Sequence, residues 1–278
     1  MYRIVRKQIL GPQIVGMEIE APRVARKIRP GQFIILRVNE TGERVPFTAA
    51  RADAGRGTVT IVFQLVGKTT QQLAALEPGE AVLDFVGPLG VPSEIRRFGR
   101  VVCVAGGAGI AYIFPEIQAL REAGNEIVAI LGARTRDLLF FLDEIRALSD
   151  ELHVTTDDGS FGRQGLVTDV LREVIARERV DRCLAAGPLP MLRAVVEMTR
   201  EPRLPTIVSL DPIMVDGTGM CGSCRVTVGG ETKFACVDGP SFDGHAVDFD
   251  ELARRKRAFR DHECKALEAF VARGGGGE

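Results

Sequence analysis

The sequence predicts an antiparallel β-barrel, then a doubly wound parallel-sheet α/β domain, then a small cysteine-bearing loop domain. Three observations carry that prediction. Residues 2–97 alternate short apolar runs with Gly and Pro turns. Residues 98–211 alternate continuous apolar strands with amphipathic helices. Three of the six cysteines crowd into one Gly-rich stretch at 215–236. A chain of 278 residues has room for two domains and something smaller.

Bulk properties exclude several function classes. Hydrophobic residues at 45% against 26% charged describe a soluble globular protein. No run approaches ~18 uninterrupted apolar residues, so no membrane span is expected. The start, MYRIVRKQIL, lacks a long apolar core and a small-residue cleavage site, so a cytoplasmic protein is expected. Lys+Arg at 36 nearly balance Asp+Glu at 37, which leaves no basic footprint for a nucleic-acid backbone. With no Trp and 2 Tyr, single-stranded bases have little to stack on.

In the first third the strands are read from YRIVRKQIL, IVGMEIE, QFIILRV, TVTIVFQLVG and AVLDFVGP, with one helix over 68–76. Period-2 alternation marks IVGMEIE, and β-branched residues fill TVTIVF. Many short strands with such punctuation suit a small barrel. Two segments carry chemistry. Arg44-Val45-Pro46-Phe47-Thr48 sets a guanidinium and a hydroxyl on one extended stretch. Gly67-Lys68-Thr69-Thr70 lies where a strand meets a helix, and free N–H groups there suit a phosphate. The same residues also suit a simple N-cap.

From Gly99 onward, strands at 100–107, 126–134, 151–159, 181–188 and 205–211 alternate with helices near 110–123, 138–148, 165–178 and 190–199. Ligands of such sheets bind at the carboxyl ends of the strands. There stand Gly106-Gly107-Ala108-Gly109, Gly132-Ala133-Arg134, Asp157-Asp158-Gly159 and Gly187-Pro188. At Gly107 and Gly109, the missing side chain lets a cofactor's phosphates approach the backbone. The third glycine of the dinucleotide fingerprint is absent, and Arg134 stands where an acid belongs. Arg134 suits a 2′-phosphate, an adenine ring or solvent equally, so NAD and NADP both stay open.

The segment from Asp216 reads Asp216-x4-Cys221-x2-Cys224-x11-Cys236. It fits three positions of the plant-type cysteine spacing, with a carboxylate at the first. Zinc with an Asp ligand, or a Cys221–Cys224 redox pair, are the competing readings. His153, His245 and His262 show no paired metal-ligand spacing. One amphipathic helix is expected over 247–273, and the GGGGE end is expected to be disordered.

On these motifs the chain resembles the ferredoxin–NADP reductase superfamily, in its branch with a C-terminal cluster. The resemblance implies domains at 1–97 for FAD, 98–211 for NAD(P)(H) and 212–249 for a [2Fe–2S] cluster, with a helix and tail at 250–278. Arg44, Pro46, Phe47 and Thr48 look like that family's R-x-P-x-[ST] flavin motif. Ile61-Val62-Phe63 and Gly67–Thr70 look like its following flavin and pyrophosphate segments. Gly107, Gly109 and Ile110 look like its G-G-G-x-G-[IL]-A turn, although Tyr112 stands where Pro is usual. Asp157, Asp158 and Gly159 look like T-D-D-G-S. Gly187 and Pro188 look like C-G-P, although Ala186 replaces the Cys. Dihydroorotate-type electron-transfer subunits carry Cys at position 216. The D-G-x-G-M-C-G-x-C pattern is similar to the small subunits of NADH-dependent ferredoxin:NADP oxidoreductases, whose cluster takes one Asp and three Cys. The resemblance thus implies hydride exchange between NAD(H) and flavin, with single electrons crossing the cluster. It also implies a larger flavin- and [4Fe–4S]-bearing partner that oxidises NADPH and reduces ferredoxin. A dihydroorotate-type module, a self-sufficient reductase and a non-enzymatic subunit are the alternatives.

Overall fold

The computed structural model describes residues 1–272, and the GGGGE segment lies outside them. The first unit comprises β1 (Tyr2–Gly11), β2 (Ile14–Glu20), α1 (Pro22–Ala25), β3 (Phe33–Arg37), β4 (Val45–Asp53), β5 (Thr58–Gln64), α2 (Lys68–Ala75), β6 (Ala81–Val82) and β7 (Asp84–Leu89). Its seven strands form one antiparallel, nearly closed sheet in the order β6-β1-β2-β5-β4-β3-β7. Alternation does the sorting: Val15, Met17 and Ile19 of β2 enter the barrel core, while Gly16 and Glu18 face outward.

The second unit comprises β8 (Arg100–Gly106), α3 (Gly109–Glu122), β9 (Glu126–Ala133), α4 (Leu142–Leu148), β10 (Glu151–Thr156), β11 (Arg163–Gln164), α5 (Val167–Arg177), β12 (Arg182–Ala186), α6 (Leu189–Arg200) and β13 (Thr206–Ser209). The sheet order is β11-β10-β9-β8-β12-β13-β16, and its strands from β11 to β13 run parallel. Strand order reverses between β8 and β12, which makes their carboxyl ends the topological switch point. β8 and β9 read as unbroken apolar runs because helices cover both faces. The strand read at 151–159 ends at Thr156, since Asp157–Gly159 form a turn.

The last unit comprises β14 (Arg225–Val228), β15 (Glu231–Phe234), β16 (Ser241–Asp243), α7 (Phe249–Lys256) and α8 (Arg260–Ala272). β16 pairs antiparallel with β13 and so joins the second unit's sheet. Cys224 and Cys236 share one buried apolar cluster with Phe33 and Ile35 of the barrel and with α5 and α6. The single helix expected over 247–273 is two. α7 buries Phe249 and Leu252, whereas α8 buries no residue fully and packs against α2. The two apolar stripes face different neighbours, so the chain turns at 257–259.

The three units meet around a buried acid. Glu116 of α3 is fully buried. It accepts from Ser93 Oγ, on the connector after β7, at 2.5 Å, while its Oε2 has no partner among the described residues. Tyr112, one turn earlier, pairs with Ser241 of β16 at 2.5 Å. A Cβ on Gly31 of the barrel would lie 3.1 Å from Glu116 Oε1. Burial pushes the Glu116 carboxyl up to about 7 from 4.5. Below 4.5 the acid is neutral folded or unfolded and costs nothing. Between there and about 7 only the unfolded chain ionises, so stability falls as pH rises through that window. The displacement corresponds to about 3 kcal/mol. Glu116→Gln is therefore expected to flatten the decline of melting temperature between pH 5 and 8. Parallel pH profiles for variant and wild type would contradict the assignment.

Candidate functional site

β4 carries the first motif. Phe33 pairs with Thr48 in the β3–β4 ladder, where strand alternation sets Pro46 and Thr48 on one face of β4, with Arg44 just before the strand. Arg44 is exposed, and it makes no hydrogen bond or ion pair among the described residues. Phe47, Ile61 and Phe63 place their side chains in the barrel core, with the rings of Phe47 and Phe63 5.7 Å apart. Their side chains serve packing, so only their backbone is free for a ligand. Val62 points the other way, into a crevice that it shares with Gly107, Ala108, Leu138 and Phe140. That crevice joins the barrel to the nucleotide-type turn.

α2 begins at the second motif, with Gly67 extended at φ −152° as its N-cap. The first-turn N–H groups of a helix have no intrahelical acceptor and point outward. Thr70 Oγ1 accepts from Val66 N at 3.1 Å and from Gly67 N at 3.0 Å. Thr69 donates to Glu43 at 2.8 Å. The capping reading therefore holds for Thr70, while Lys68 and the helix start remain available to an anion.

At the carboxyl ends of β8, β9, β10 and β12 the predicted nucleotide residues do converge. Gly107 adopts φ +53°, with nothing within 4 Å of an added Cβ, and its N–H bonds Gly132 O at 2.9 Å. Gly109 differs from the sequence reading. An added Cβ would lie 2.2 Å from Ala186 O, so this glycine lets α3 press on the β12 backbone. Gly132 likewise makes room for Val167. Gly187, at φ +155°, fits against Met191 and the Gly106 backbone, and Pro188 caps α6. Asp157 N bonds Ala133 O at 3.1 Å, and Asp158 N bonds Arg134 O at 3.2 Å. Asp158 also accepts from Ser160 N and Oγ, while Gly159 turns at φ +74°. Ile110 is buried beneath the turn, and Arg134 is exposed.

The cysteine loop is only partly gathered. Cys224 and Cys236 are buried with sulfurs 3.2 Å apart, well beyond a disulfide's ~2.05 Å. Cys221 is exposed, and among the described residues no three His, Cys, Asp or Glu side chains group as a ready metal site. Asp216 holds the loop's shape. Its carboxylate accepts from Thr218 N at 2.9 Å, Met220 N at 3.1 Å and Cys221 N at 2.8 Å. The Thr218 N–H foremost holds its carboxyl below the usual range. Ser223 Oγ lies 3.2 Å from Cys221 Sγ, with Ser223 N at 3.5 Å, and these contacts lower that thiol's pKa. Burial, then Cys224, pushes the Cys236 thiol up to about 12, so a metal there displaces a proton. Soft thiolates beside N–H donors, on a loop turned by Gly217, Gly219 and Gly222 at positive φ, fit an iron–sulfur cluster.

One feature escaped the sequence. A cleft of 1060 Å³ runs between the outer face of β2, β4 and β5 and the helices α3 and α4. In it Arg51 stacks 4.7 Å from both the Phe114 and the Phe141 rings and pairs with Glu144 at 2.8 Å. No motif marks these residues, because they come together only on folding.

Comparisons with known proteins agree with this layout. Residues 103–197 match the oxidoreductase NAD-binding domain. Residues 211–248 match the iron–sulfur cluster binding domain of dihydroorotate dehydrogenase B. The chain is similar to a dihydroorotate dehydrogenase B (NAD(+)) electron transfer subunit homolog of Thermotoga maritima, 47% identical over 99% of this chain and 97% of that protein. It is also similar to the electron transfer subunit of Bacillus caldolyticus, 35% identical over 86% of this chain and 94% of that protein. Among solved structures, a chain of the NADH-dependent reduced ferredoxin-NADP oxidoreductase, studied for flavin-based electron bifurcation, superposes with TM-score 0.92. It is 46% identical and covers 98% of both chains. A ferredoxin NADP+ reductase of Neisseria gonorrhoeae shares the fold at TM-score 0.59 and 16% identity, over 72% of this chain and 89% of that one. No helix among the described residues is long and apolar enough to cross a membrane.

Proposed function

The chain belongs to the family of dihydroorotate dehydrogenase B electron-transfer subunits, within the ferredoxin–NADP reductase superfamily, and on that premise we propose that it is the NAD-linked subunit of an electron-bifurcating NADH-dependent ferredoxin:NADP oxidoreductase. It is an oxidoreductase subunit for FAD, NAD(H) and a [2Fe–2S] cluster. When bound, the flavin exchanges a hydride with NAD(H) and single electrons with the cluster.

In this reading the chain's own residues bind and orient. Arg44 pairs with the flavin pyrophosphate, Thr48 bonds near the ring, and the helix start at Gly67–Thr70 takes phosphate through backbone N–H groups. Gly107 opens the β8 turn to the dinucleotide, with Gly132, Ala133, Arg134, Asp157, Asp158, Gly159, Gly187 and Pro188 lining the neighbouring strand ends. Val62 and Phe140 keep the crevice between barrel and turn apolar and exclude water from the transfer. Asp216 and Cys221, Cys224 and Cys236 hold the cluster. The partner is a larger flavin- and [4Fe–4S]-bearing subunit on which NADPH is oxidised and ferredoxin reduced.

The observation that carries this reading is Asp216 at the first ligand position, its carboxylate already turned onto the loop that bears Cys221. A dihydroorotate-linked role is the second reading, favoured by the names of several relatives. The complex isolated through this chain decides between them. Given NADPH and ferredoxin, ferredoxin reduction is expected only when NAD+ is also present. Ferredoxin reduction indifferent to NAD+, or oxidation of dihydroorotate by the complex, would overturn the first reading.

A further inference from the structure

Arg255 has no counter-ion in a place where one is expected. It lies in the last turn of α7, half-buried, and forms no ion pair among the described residues. Glu251, one helical turn earlier and its natural i,i+4 partner, instead accepts from Thr227 N of β14 at 3.0 Å. The next residue, Lys256, takes Asp211 at 2.6 Å. Arg255 Nη2 donates to Ser223 O at 3.2 Å, and its Nε is buried without a partner. Ser223 stands between Cys221 and Cys224, and its own N–H and hydroxyl face Cys221 Sγ. The helix is fixed in this pose, because Asp248 N also bonds Thr227 O at 2.9 Å and the Asp248 carboxylate caps Glu251 N at 2.8 Å.

A half-buried guanidinium without a carboxylate is costly unless an anion sits near it. The anionic group that this loop would hold is the cluster. One electron makes that cluster more negative, and a fixed cation favours the more negative state. We propose that Arg255 is a positioning residue that acts through the Ser223 carbonyl to stabilise the reduced cluster and raise its potential. It polarises the peptide whose N–H belongs to Cys224. The inference rests on the cluster assignment made above and adds a residue outside the ligand set.

The test is the cluster's midpoint potential, read by EPR during a reductive titration of the full chain, with iron and sulfide analysis alongside. Arg255→Gln is expected to keep its iron but lower the reduced-to-oxidised ratio at a fixed solution potential by about tenfold, ~59 mV for a one-electron couple. Arg255→Lys is expected to restore most of the shift, because it restores the charge. A full cluster in Arg255→Gln with an unchanged midpoint would overturn the proposal. So would loss of iron in Arg255→Gln together with an Arg255→Lys protein of normal iron whose midpoint falls by the full ~59 mV, since a retained charge would then leave the potential unrestored. Wild-type protein without iron and sulfide would instead overturn the cluster reading itself.

Discussion

Asp216→Ala is expected to lose most of its iron and sulfide while the barrel and the parallel sheet stay folded. The carboxylate satisfies three backbone N–H groups of the cysteine loop, at Thr218, Met220 and Cys221. Hydrogen bonds to a charged acceptor contribute about 1.5–3 kcal/mol each, less where solvent reaches them. Without them the loop has no fixed path from 216 to 221, and Cys221 is not held near the buried pair Cys224 and Cys236. Shaping the loop does not stop Asp216 from ligating iron, since a carboxylate has about four acceptor positions. The variants separate the roles. A carboxylate ligand is a harder donor than thiolate, so Asp216→Cys is expected to keep a cluster with an altered EPR signal. A residue that only shapes the loop would give an Asp216→Asn protein with an unaltered signal. Normal iron and an unchanged spectrum in both Asp216→Cys and Asp216→Ala would remove Asp216 from the ligand set.

Gly109→Val is expected to unsettle the second unit as a whole rather than only to weaken NAD(H) binding. The new Cβ would fall 2.2 Å from Ala186 O and 2.5 Å from its carbon, both main chain. Neither can move without shifting β12, the strand across the switch point from β8. Overpacking of this kind costs about 3 kcal/mol or more, which lowers the melting temperature by about 10–15 °C for a unit of this size. Gly107→Ala is the cleaner probe of the cofactor. Its Cβ meets nothing within 4 Å, so the cost is the strain of φ +53°, about 1 kcal/mol, while the methyl enters the space proposed for the dinucleotide's phosphates. Fluorescence or equilibrium titration with NADH is expected to show weakened binding in a protein that melts near wild type. Wild-type melting in Gly109→Val, or wild-type NADH affinity in Gly107→Ala, contradicts this division of roles.

The contrast between these glycines marks how far the sequence reaches. Continuous apolar runs such as RVVCVAGG announce strands covered on both faces, because local composition and double burial go together. The crowding of Cys221, Cys224 and Cys236 is equally local, and so is the helix start at Gly67. What Gly109 meets is not local: Ala186 is far along the chain, and only the parallel pairing of β8 with β12 brings it close. The same holds for β16, whose short run carries no strand signal until β13 offers it an edge. Glu116 looks like one more charge on an amphipathic helix, yet Ser93, Tyr112 and Ser241 enclose it from different units. The break between α7 and α8 is hidden because both halves keep helical periodicity while facing different neighbours. Phe47, Ile61 and Phe63 sit inside a flavin-type motif, but strand alternation turns them into the barrel.

In the proposed function one chain links NAD(H) to a single-electron cluster through a flavin. Anaerobic addition of NADH to the purified chain tests it most directly, with visible absorbance and low-temperature EPR recorded on the same sample. Bleaching of a bound flavin and the appearance of a reduced [2Fe–2S] signal of about one spin per chain are expected. A protein that carries flavin and iron but whose absorbance and EPR stay unchanged on adding NADH would contradict it.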